Sequence, residues 1–179
     1  MGLKYNENLI LNLIKQSPGI GKTKLMKFAF FLQESFGGRV DSDFNIYTYG
    51  TYSDDIMGDL NSLIFNELIC AEKYVVDKYT GYKLSVSDEV FEEYAEQLPR
   101  EEQENINSMI GMLGEKTARD LELLSTVTYI TNQFKKNNWN ERDDHNIFSV
   151  VKDIKPHFSD DEIKEAHQEL LGNGILRQG

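Results

Sequence analysis

The string Ser17-Pro18-Gly19-Ile20-Gly21-Lys22-Thr23 ends in Gly-Lys-Thr, as a phosphate-binding loop does. Such a loop needs GxxxxGK[ST], because its first glycine lets the backbone N–H groups fold round the phosphates. Gln16 stands at that first position, and the residues before it read as a helix where a strand is required. Nucleotide hydrolysis is set aside on both spacing and context. Metal chemistry fares no better. His145, His157 and His167 are dispersed, Cys70 is far from them, and Glu162 to His167 is not HExxH. No GxSxG nucleophile elbow is present, although a triad assembled from distant residues stays open. Glu92-Glu93 and Glu101-Glu102 are neighbours on helices, where successive side chains point about 100° apart and cannot converge on one atom. Asp143-Asp144-His145 and Ser159-Asp160-Asp161 read as acids at helix starts. The chain is therefore expected to be non-enzymatic, without catalytic residues, cofactor or metal.

What remains is recognition chemistry. Lys15, Lys22, Lys24 and Lys27 cluster near one turn, with Lys24 and Lys27 three apart on a helix face outside the apolar stripe. They form a candidate edge for phosphate backbone or for an acidic protein. Arg, Asn and Gln are thin on that helix, which argues against reading bases. The second candidate is the aromatic cluster Tyr47, Tyr49 and Tyr52. Half-buried tyrosines are typical binding anchors, and tyrosines two apart share one face of a strand.

These residues need elements to hold them. Residues 6–16 carry Leu9, Ile10, Leu13 and Ile14 at helical spacing, and Ser17-Pro18-Gly19 stops them. Residues 22–36 place Leu25, Phe28, Ala29, Leu32 and Phe36 on one stripe, ended by Gly37-Gly38. The pair reads as a helix-turn-helix. Residues 44–49 alternate as one short strand, Gly50-Thr51-Tyr52 as a turn, and Ser53 as the N-cap of a helix running to about 67. Residues 72–78 and 82–86 read as a hairpin round Tyr79-Thr80-Gly81. That order is the one expected of a winged-helix-like module. Helices follow at about 88–97, 99–113, 116–136, 143–153 and 159–172, with capping boxes at Thr117/Asp120 and Ser159/Glu162 and Pro99 in a first turn. The fold class is α+β and predominantly helical: a winged-helix-like part with a small β element over 1–97, then helices over 98–179 packed with it as one unit.

Composition agrees. With 179 residues and 40% of them hydrophobic, the chain can bury a core. Lone Cys70 excludes an internal disulfide and is expected to be a buried small hydrophobe. The start, MGLKYNENLIL, has no signal-peptide pattern, and Asn6 breaks the myristoylation pattern. No apolar run reaches membrane-span length. A cytoplasmic protein off the membrane is the expectation. Net charge is −11, which opposes general nucleic-acid binding. Residues 1–40 hold six basic against two acidic residues, or +4, which leaves −15 for the rest.

The runs GKTKLMKFAFFLQESFG and FNIYTYGTYSDDIMGDLNSL resemble prokaryotic YwgA-like proteins and, more distantly, the Panacea antitoxin domain. Lys24, Leu25, Lys27, Phe31, Leu32 and Gln33 match the family's helix, and Tyr49, Gly50, Tyr52 and Ser53 match its YGPYS turn, with Thr51 in place of proline. DLELLSTVTYI and FSDDEIKEAHQELLGNGIL extend the likeness. The resemblance implies a helical domain without established enzymatic chemistry. Panacea domains neutralise a toxin protein by binding it, and the resemblance implies that the turn Tyr49-Gly50-Thr51-Tyr52-Ser53 is a protein-binding surface here. The expectation is a protein-interaction module, antitoxin-like or regulatory, whose partner is a protein such as a toxin. The alternative is a winged-helix DNA-binding regulator, and a homodimer is left open.

Overall fold

The structure is a computed structural model that describes residues 2–137 and 144–176. Among them the chain forms α1 (Tyr5–Gln16), α2 (Lys22–Glu34), β1 (Asn45–Tyr47), β2 (Gly50–Tyr52), α3 (Asp54–Phe65), β3 (Cys70–Val76), β4 (Tyr79–Ser85), α4 (Asp88–Tyr94), α5 (Arg100–Leu113), α6 (Ala118–Lys136), α7 (Asp144–Ile154) and α8 (Asp160–Gly172). The strands pair as two separate antiparallel hairpins, β1–β2 and β3–β4. This is the predominantly helical α+β class that the periodicities predict. No helix of the described residues is long and apolar enough to cross a membrane.

The chain divides into two compact units: Met1–Phe44 with Ser53–Glu115, and Asn45–Tyr52 with Lys116–Gly179. The expected boundary at 97/98 moves for physical reasons. Residues 98–115 stay with the first unit because α5 packs on α2 and the buried Glu102 carboxylate accepts the Arg39 N–H at 3.0 Å. Residues 45–52 leave it because β2 packs on α6.

In the first unit, α1 buries every residue from Glu7 to Ile14 and α2 every residue from Leu25 to Leu32. Eight consecutive buried positions exceed two turns, so each helix is enclosed all round its axis rather than on one stripe. Phe30 meets Phe31 and Phe44 edge-on, with centroids 5.4 Å apart. Burying α1 takes its asparagines in too, and they are bonded. Asn8 accepts the Glu96 N–H at 2.9 Å and donates to the Glu96 carbonyl at 3.1 Å.

The β3–β4 hairpin turns two to three residues earlier than its glycine suggests. Val76 pairs with Tyr79, and the loop is Asp77-Lys78, with Asp77 at φ 54°. Aspartate tolerates that left-handed backbone well. Gly81 instead lies inside β4 opposite Tyr74, where a Cβ would come within 2.3 Å of Tyr74 Cζ. It makes room for a ring instead of supplying a turn. Cys70 is exposed, contrary to expectation. Ile69 is buried and successive strand side chains alternate, so the next residue faces out.

In the second unit α7, α8 and β2 all pack on α6. The predicted capping boxes are formed. Thr117 and Asp120 bond reciprocally at the start of α6, as do Ser159 and Glu162 at the start of α8. Pro99 is the N-cap of α5, one position before the first turn expected for it. Three α6 hydroxyl residues, Ser125, Thr126 and Thr128, are fully buried. Ser125 and Thr126 both donate to the Glu122 carbonyl, at 3.2 and 2.7 Å. The Thr128 hydroxyl has no hydrogen-bond partner.

Candidate protein-binding site

The expected strand over 44–49 with a turn over 50–52 is a hairpin displaced by two residues. Asn45 pairs with Tyr52, Ile46 with Thr51 and Tyr47 with Gly50, and Thr48-Tyr49 forms the loop. Gly50 has φ 91°, and neither loop residue has positive φ. That combination matches a type I turn closed by a glycine bulge, so the glycine is needed after the turn rather than within it. Tyr47 and Tyr49 are therefore not alternate residues of one strand, as predicted. One ends β1 and the other tops the loop.

The six residues of the predicted site separate into two kinds. Tyr47 and Tyr49 are 54% and 62% exposed. Tyr52 is half-buried, and its ring centroid lies 5.0 Å from that of Tyr47. Gly50, Thr51 and Ser53 are buried. The Thr51 N–H meets the Ser125 hydroxyl at 3.5 Å. The Ser53 hydroxyl caps α3 by accepting the Ile56 N–H at 3.5 Å, as its sequence position predicted.

What holds the loop is a residue the sequence reading did not single out. Lys155, directly after α7, is 2% exposed. Its Nζ donates to the carbonyls of Tyr47, at 2.9 Å, and Thr48. It also lies 2.9 Å from Glu122 Oε1. Of the ammonium's three N–H donors, two are thus engaged by the loop carbonyls, while the Glu122 contact is an ion pair without hydrogen-bond geometry. A buried charge is tolerable only when paired and bonded in this way. The half-exposed His157 places Nε2 3.3 Å from the same Glu122 oxygen, and its ring lies tilted by 40° against that of buried Phe158, with centroids 4.4 Å apart. Arg119 covers the Phe158 ring at 4.3 Å and bonds Glu162 at 2.7 Å. This bond, helped by the Ser159 N–H, holds the Glu162 carboxyl down at about 2. The signal for Lys155 was present in the sequence. Ile147, Val151 and Lys155 recur every four residues, and the first two are buried, so the lysine falls on an apolar stripe.

The four lysines of the other predicted site, all in the first unit, do not form an exposed basic edge. Lys15 pairs with Asp88, holding that carboxyl below its ordinary value, and lies 5.4 Å from the Phe91 ring centroid. Lys22 lies 4.4 Å above Tyr82. Lys24 donates to the Gly114 carbonyl, just past the end of α5. Lys27, expected to share a solvated face with Lys24, is 2% exposed because α2 is enclosed all round. In the same unit a cleft of about 370 Å³ is lined by Asn12, Gln16, Gln103 and Asn107 around Phe91 and Glu92, with no histidine, cysteine, serine or lysine in its wall. No group of three or more metal-ligating side chains occurs among the described residues.

No family model matches the chain, and no curated protein matches it.

Proposed function

We propose that the chain is a non-enzymatic protein-interaction module, antitoxin-like or regulatory, that grips a protein partner through Tyr47 and Tyr49. One observation carries the reading: two exposed tyrosines, one ending β1 and one on the loop, stand on a hairpin whose backbone is pinned by buried Lys155. Anchors held in place before binding avoid the entropic cost of ordering them in the complex. Tyrosine offers a large apolar ring with a polar tip, which suits a surface that is wet when free and dry when bound. Gly50 and Thr51 belong to this site as the buried support of the loop, whereas Ser53 serves as the N-cap of α3. The net charge of −11 favours a partner with a basic surface.

The order α1, α2, α3, β3, β4 supports the second reading, a winged-helix DNA binder. In that arrangement α3 would enter the groove. It carries Asp54, Asp55 and Asp59 and no lysine or arginine, which opposes contact with phosphates.

Affinity purification of the tagged full-length protein from its native host, with mass spectrometry and a test for nucleic acid, separates the two. A stoichiometric basic protein that is lost with Tyr49→Ala, while the circular dichroism spectrum is unchanged, supports the first reading. DNA released at high salt, with no protein partner, refutes it.

A further inference from the structure

The edge of β3 is open. Leu84 in β4 sends its N–H to the Ile20 carbonyl and receives the Gly19 N–H, both at 3.0 Å, so its backbone groups point away from β3. Antiparallel pairs alternate between bonded and non-bonded. Ala71–Leu84, Lys73–Tyr82 and Val75–Thr80 are thus the non-bonded pairs, and the N–H and C=O groups of Lys73 and Val75 face outward from β3. Among the described residues no other strand pairs with that edge. Tyr74, Val75, Val76 and Tyr79 expose 42%, 63%, 59% and 75% of their surface, which makes this hairpin an apolar tip on an acidic chain. A two-stranded ribbon is marginal alone, and an open apolar edge is a template for pairing.

We propose that two copies of this chain pair antiparallel along β3, about a two-fold axis at Val75, to form a continuous four-stranded sheet. The charge pattern selects that register. Centred on Val75, Lys73 of each copy lies opposite Asp77, at the start of the other copy's turn, and Tyr74 opposite Val76. The Lys73–Asp77 pair forms twice, once at each end, and the outward-pointing backbone groups of Val75 bond each other. Centring on Lys73 would put like charges face to face. Centring on Tyr74 would oppose Glu72 to Val76 and leave the charges unmatched. Cross-strand opposite charges stabilise a pair and like charges destabilise it. An edge lysine ordinarily blocks such pairing, and here Asp77 of the second copy answers it. The inference is independent of the tyrosine loop.

The test is sedimentation equilibrium of the full chain over a wide concentration range at low salt. A reversible dimer is expected. Lys73→Asp should weaken it at least tenfold, Asp77→Lys likewise, and an equimolar mixture of the two variants should restore it, because only the mixed pair opposes unlike charges at both ends. Thermal melts check that each variant folds. As a second reading, Val75→Cys in a Cys70→Ser background should cross-link to a dimer under mild oxidation, since facing residues at the axis lie within disulfide reach. A chain that stays monomeric throughout, or a dimer indifferent to charge reversal and to Val75→Cys oxidation, overturns the proposal.

Discussion

Replacing Lys155 by methionine keeps the length and apolar stem of the side chain and removes only its charge and donors. The Glu122 carboxylate, with its side chain 10% exposed, then loses its ion-pair partner at 2.9 Å and keeps the half-exposed His157 at 3.3 Å, and the Tyr47 and Thr48 carbonyls lose their donor. Breaking one side of a buried ion pair costs about 3–5 kcal/mol. For a unit of this size, each kcal/mol lowers the melting temperature by about 4–8 °C, so the second unit should melt on the order of 15 °C lower or more. Urea unfolding followed by circular dichroism measures the cost. Hydrogen exchange at the Thr51 and Tyr52 amides should quicken before the rest of the unit opens. Lys155→Met combined with Glu122→Gln removes the stranded charge, and a double-mutant cycle should return a coupling of about 1–3 kcal/mol. Stability of Lys155→Met within about 1 kcal/mol of the parent would refute the claim that this ammonium holds the loop.

Two further outcomes follow from the second unit. Thr128→Val replaces a fully buried, unbonded hydroxyl by a methyl group. It should raise stability by about 1 kcal/mol in thermal melts, whereas a loss would mean the hydroxyl has a partner in solution. Glu162 is held down at about 2 from its usual 4.5. A depressed carboxyl adds stability above its unfolded value, and that stability is lost as pH falls from about 4.5 towards 2. Arg119→Gln should therefore flatten this acid limb in melts at stepped pH. An unchanged slope would disprove the pairing.

Periodicity made the helices legible because an apolar stripe at 3.6-residue spacing is a local property, and the capping boxes are local too. Misplaced features arose where one residue type can do two jobs. Gly81 reads as a turn residue because glycine usually punctuates, yet its role is to seat the Tyr74 ring, which depends on a strand partner seven residues away. Gly50 does supply a positive φ, but one step after the turn. Lys27 reads as solvated from its charge, and only the enclosure of α2 on every side shows it buried. At the candidate site Tyr47 and Tyr49 were legible as an aromatic cluster. The burial of Lys155 is legible in its spacing from Ile147 and Val151, but its meeting with Glu122 and with a hairpin from early in the chain is not, because nothing local reveals contacts so distant in sequence.

The Lys155 contacts span 107 and 108 residues of chain. A ribosome adding about 5–20 residues per second would take roughly 5–20 seconds between making the loop and making the lysine that secures it. Through that interval the nascent tyrosine loop has neither its pin nor α6 to rest on. The order of synthesis thus sets a period in which these two rings depend on whatever else is at hand, and a fragment ending at Glu115 would remain in that state permanently.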